Sequence, residues 1–80
     1  MLFRLVRIEL SEQNSVVAQT ETRPFYELRE DAVKMAEFGA ARCGGDYGYN
    51  CERDYWWGRD TNGRRFRFEV HAMTETDVAA

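Results

Sequence analysis

The stretch that decides the fold runs Tyr55-Trp56-Trp57-Gly58-Arg59-Asp60-Thr61-Asn62-Gly63-Arg64-Arg65-Phe66-Arg67-Phe68-Glu69-Val70-His71-Ala72. Its second half alternates cleanly. Phe66, Phe68, Val70 and Ala72 face one way, and Arg65, Arg67, Glu69 and His71 the other, which is the period of a strand with one dry and one wet side. Tyr55-Trp56-Trp57 has strong strand propensity. Between the two, Asp60-Thr61-Asn62-Gly63 is a turn signal whose glycine accepts positive φ. The segment from Arg53 to Ala72 is therefore expected to be a β-hairpin with arginines crowded around its tip.

Upstream of the hairpin, the pattern predicts a helix from Leu28 to Cys43. Glu27, Glu30 and Asp31 sit near its start and Arg42 near its end, both placements complementing the helix dipole. Gly44-Gly45 is a stop signal, with the first glycine suited to a left-handed cap. The expected apolar stripe comprises Leu28, Ala32, Met35, Ala36, Gly39 and Cys43, with Phe38 to one side of it. Gly39 costs about 1 kcal/mol relative to alanine in a helix interior, so its presence suggests that another element approaches closely. Asp46-Tyr47-Gly48-Tyr49-Asn50, rich in glycine and tyrosine, reads as a loop.

Before the helix, Leu2–Leu10 reads as a strand, with Leu2, Val6, Ile8 and Leu10 on one side and Phe3, Leu5, Arg7 and Glu9 on the other. Ser11-Glu12-Gln13-Asn14 is a turn, Ser15–Thr20 a shorter returning strand, and Thr22-Arg23-Pro24 a break, since proline cannot donate to a strand ladder. The expected architecture is α+β in the order ββαββ, with one helix packed on a three- or four-stranded antiparallel sheet. Residues 1–73 make a single domain and residues 74–80 a short flexible C-terminal tail.

Eighty residues carry a formal charge of −3, which weighs against bulk duplex DNA and anionic membranes as partners. The charge is unevenly distributed. From Arg53 to Ala72, five arginines face three acids, a balance of +2, so the remainder of the −3 chain is at −5. Lys34 is the only lysine among the 11 basic residues, and arginine suits bidentate recognition of carboxylate or phosphate. The apolar start is broken by Arg4, Arg7 and Glu9, so it reads neither as a signal peptide nor as a membrane span, and a cytoplasmic location is expected.

No catalytic grouping stands out. Acid–base or nucleophilic chemistry needs a nucleophile, a base and an orienting group in one cleft. The single histidine, His71, lies on the polar side of a strand, and Ser11 and Ser15 flank a turn in neutral surroundings. Cys43 and Cys51 are too few for a secreted disulfide scaffold, and a zinc site would need two more ligands, which only His71 and an acid could supply. The glycine-rich stretch between them could bring the sulfurs together, but the preferred reading is a small buried hydrophobe at Cys43 and a free thiol at Cys51. The loop Asp46-x-Gly48-x-Asn50-x-Glu52 resembles a calcium loop only in its first half: Cys51 and Trp57 stand where glycine and glutamate are needed. Neither a cofactor nor a metal is expected.

The candidate binding residues are Arg59, Arg64, Arg65, Arg67 and Trp56 of the hairpin, with Tyr47 and Tyr49 of the preceding loop. Tyr55 and Trp57 share one side of their strand and Trp56 takes the other, so an aromatic ring should remain beside the arginines whichever face the helix covers. Arginine with aromatics is the composition of protein–protein hot spots and of single-stranded nucleic-acid platforms. The first is preferred for an acidic chain, and a homodimer is a further possible contact.

The helix, the glycine stretch and the hairpin together, from Asp31 to Phe68, resemble a pattern seen in small phage-encoded inhibitors of the anti-CRISPR type. That resemblance implies a bacterial or phage protein that blocks a nucleic-acid-processing complex by covering its surface, without enzymatic activity. Those inhibitors share no signature, so the resemblance assigns no residue a role.

Overall fold

The computed structural model describes residues 2–21 and 25–73. The elements follow in the order β1 (Leu2–Leu10), β2 (Val16–Glu21), α1 (Arg29–Ala41), β3 (Gly44–Asn50), β4 (Tyr55–Asp60) and β5 (Arg65–Met73). The expected break at Thr22-Arg23-Pro24 and the tail 74–80 lie outside the described residues. The class is α+β, as expected, but the sheet has five strands in the order β2-β1-β5-β4-β3, every pair antiparallel. The chain order is thus ββαβββ rather than ββαββ.

The extra strand is β3, where a loop was expected. Its glycines are not loop punctuation; they accommodate what lies beside them. A Cβ at Gly48 would sit 2.9 Å from Trp57 Cζ2, and one at Gly45 would sit 2.5 Å from the Arg59 carbonyl oxygen. Only glycine lets the strand lie this close to β4 and its indole ring.

The turns form where short polar side chains hold backbone amides. Between β4 and β5, Asp60 Oδ1 accepts from the Asn62 and Arg64 amides at 2.9 and 2.8 Å. Gly63 there adopts φ +85°, a value that costs a non-glycine residue about 1–2 kcal/mol. Ser11 Oγ accepts from the Ser15 amide at 3.1 Å in the β1–β2 turn. The central seam is long-range: β1 and β5 pair continuously from Leu2↔Met73 to Leu10↔Arg65, joining the two ends of the described chain.

The helix is shorter than its sequence pattern, running Arg29–Ala41 with Leu28 as an N-cap that makes no side-chain cap bond. Its sealed residues are Ala32, Ala36 and Ala40. Leu28 and Met35, expected in that stripe, are instead exposed. The reason is tertiary: α1 lies over β1, β3, β4 and β5 and does not reach β2, so one flank of the helix has no strand beneath it. Small helix residues let the sheet's rings fill the gap. Phe66 and Phe68 cluster with Leu5, Ala36 and Ala40, and Trp56, Val70, Cys43 and Tyr26 pack around them. Gly39 meets its expectation, since a Cβ there would lie 2.7 Å from Phe68 Cε1.

Candidate binding surface

Register decides which hairpin side chains share a face. Gly58 stands opposite Phe66 and Trp56 opposite Phe68, while Trp57 stands opposite Arg67 and Arg59 opposite Arg65. Directly paired residues point the same way. The helix covers the Phe66 and Phe68 side, so Arg65 and Arg67 fall on the open face together with Arg59, Tyr55 and Trp57. On β1 the open face carries Val6, Ile8 and Leu10, across from Glu69, Arg67 and Arg65 respectively.

Val6 and Ile8 are nevertheless buried. The centre of the open face is therefore an apolar strip flanked by long polar side chains. Beside that strip, Leu10, Tyr55, Trp57, Arg59, Arg65 and Arg67 border a groove of about 310 Å³.

The arginines on this face differ in how they are held. The Arg67 guanidinium lies 5.1 Å from the Tyr55 ring centroid, a cation–π distance. Its Nε is 3.0 Å from Glu69 Oε2, an ion pair without the alignment of a hydrogen bond. Glu69 also meets His71 Nε2, at 2.8 Å. Arg65 donates to the Ser11 carbonyl. Arg59 pairs with Arg65 through the backbone ladder, but its exposed side chain makes no hydrogen bond or ion pair among the described residues. Two guanidiniums are thus positioned at the groove and a third stays available.

The other candidate residues lie elsewhere. Arg64, next to Arg65 in sequence, turns to the helix side. It donates to Glu9 through Nη2 at 2.6 Å and Nε at 3.2 Å, and this bond raises its already high pKa. Trp56 also faces the helix side, half-buried against the core, and its buried Nε1 has no hydrogen-bond partner among the described residues. Its ring centroid is 5.3 Å from that of Tyr49 at a tilt of 46°.

Tyr49 in turn donates through its hydroxyl to Asp54 Oδ1 at 2.6 Å, and Asp54 also receives Arg29 from the first turn of α1. The bond to Asp54 holds the Tyr49 phenol above its ordinary pKa. Tyr47 is half-exposed on the same strand, which is the outermost of the sheet.

The seven residues selected from sequence therefore divide in two. Arg59, Arg65 and Arg67 converge on the open groove. Arg64, Trp56, Tyr47 and Tyr49 sit on the helix side or along β3. Tyr55, Trp57 and Leu10 belong with the first group; the signal for Tyr55 and Trp57 was the alternation of β4 read against that of β5, and Leu10 joins them through its pairing with Arg65. No family model matches the sequence, and neither a curated protein nor a solved structure matches it.

Proposed function

We propose that the domain is a non-enzymatic binding module that engages another protein with the open face of its sheet. The observation that carries this reading is the convergence of Tyr55, Trp57, Arg59, Arg65 and Arg67 around one groove on the face that α1 leaves uncovered. Rigid aromatic rings supply apolar contact at little entropic cost, and arginines read carboxylates in a fixed geometry. Acidic side chains flanking an apolar residue are the chemistry this groove would take. The likeness of the hairpin region to phage-encoded inhibitors makes a bacterial nucleic-acid-processing complex the first partner to test.

The same paired rings on an open sheet favour a second reading, a platform on which single-stranded bases stack. The net charge of −3 supports the protein partner instead. One experiment separates the two. The tagged protein is used to capture partners from its native host, beside the Arg65→Glu, Arg67→Glu double variant, while short oligonucleotides are titrated at low salt. Capture lost in a variant with an unchanged circular dichroism spectrum supports the proposal. Capture retained by that variant sinks it, and salt-sensitive oligonucleotide binding without protein capture establishes the platform.

A further inference from the structure

The flank of α1 that no described strand covers carries a pattern of its own. Leu28, Asp31, Met35, Phe38 and Arg42 follow one another at alternate spacings of three and four residues, the repeat of a helix-pairing seam. Its apolar members are exposed: Leu28 57%, Met35 42% and Phe38 58%. Asp31 and Arg42 are exposed too, and neither has an ion pair among the described residues. At the Arg42 end the seam opens on a hollow shared with Arg7, Arg64, Cys43 and Asp60. Asp60 Oδ1 there is engaged by turn amides.

This seam is self-complementary. We infer that α1 pairs antiparallel with α1 of a second copy of this chain, through the seam from Asp31 to Arg42. The register that sets Met35 of one copy against Phe38 of the other also sets Arg42 of one against Asp31 of the other. Two-fold symmetry then repeats both contacts, giving two methionine–aromatic layers closed at each end by an ion pair. An acidic end meets a basic end twice, whereas the parallel arrangement would set like charges together. Leu28 overhangs the turn that follows the helix of the second copy. The contact is small beside the roughly 1,200–2,000 Å² of a standard interface, so the dimer is reversible and concentration-dependent. It lies on the opposite side of the sheet from the open groove and leaves that surface accessible.

Sedimentation equilibrium on the full chain tests this. The wild type should pass from monomer to dimer mass with rising concentration, and Phe38→Glu should remain monomeric with an unchanged circular dichroism spectrum. Arg42→Glu and Asp31→Arg should each weaken association about tenfold, the equivalent of about 1.4 kcal/mol. The double variant Asp31→Arg, Arg42→Glu should restore it, because both ion pairs are rebuilt with reversed sign. A wild type that is monomeric up to about 1 mM, association insensitive to Phe38→Glu, or a double variant as weak as its parents would each overturn the inference. Dimer formation is read without any partner protein, so its failure is distinguishable from failure of the open-face proposal.

Discussion

The two faces of the sheet hold the same kinds of side chain and use them differently. On the helix side, the guanidiniums of Arg7 and Arg64 lie 4.4 and 5.6 Å from the Phe66 ring centroid. Arg64 is also tied to Glu9, and Phe66 itself is part of the buried cluster. There arginine serves as a lid over the edge of a core. On the open side, Arg67 rests on Tyr55, a half-buried ring that stands outside that cluster, and the Arg59 guanidinium has no partner among the described residues. The difference teaches that composition does not mark a binding surface. What marks it is a set of held but unsaturated groups on a face that no other described element covers.

The comparison predicts a gradient of mutational effects. The largest belongs to the covered face: a Cβ at Gly58 would sit 2.7 Å from the Ala40 carbonyl oxygen and 2.8 Å from Cys43 Sγ. Backbone cannot yield as a flexible side chain can, so Gly58→Ala should cost at least about 3 kcal/mol in denaturant unfolding. Gly39→Ala is next, because Phe68 is buried and its ring has little room to move. The clash should outweigh the roughly 1 kcal/mol that alanine gains in helix propensity, leaving a net loss of about 1–2 kcal/mol. A stabilised Gly39→Ala would mean that the helix sits less tightly on the sheet than described.

On the open face, Trp57→Ala should have its main effect on partner capture. It leaves the Phe66 and Phe68 cluster intact, and unfolding should register a cost below that of Gly58→Ala. The smallest effect concerns Tyr49. Its pKa is raised by the hydrogen bond it donates to Asp54. Any stability this bond gives is fully present below the ordinary phenol pKa of about 10 and is lost as pH rises through the raised value. Tyr49→Phe should flatten the alkaline limb of the stability profile, and an unchanged limb would count against that bond.

How much of this was legible in the sequence depends on whether a feature is local. The alternation of Phe66 and Phe68 with Arg65 and Arg67, the Asp60–Gly63 turn and the tight approach at Gly39 are all written in neighbouring residues. The strand β3 was not legible, because Gly45 and Gly48 look like loop residues until Arg59 and Trp57 are known to lie beside them. The helix stripe was misplaced for a related reason. Sequence gives the period, but only the lateral position of α1 on the sheet makes Ala40 buried and Leu28 and Met35 exposed. In the candidate site, the faces of Arg65 and Arg67 followed from alternation. The position of Arg64 did not, since it depends on Glu9, which is 55 residues away in sequence.

Arg59 and Arg64 give the most direct test of the claim that the open face is the binding surface. They flank one turn and carry the same charge, yet lie on opposite sides of the sheet. Partner capture should be measured for Arg59→Glu and Arg64→Glu side by side, with circular dichroism confirming that both fold. The account predicts that Arg59→Glu loses the partner and Arg64→Glu retains it; the reverse result, or equal loss in both, would contradict it.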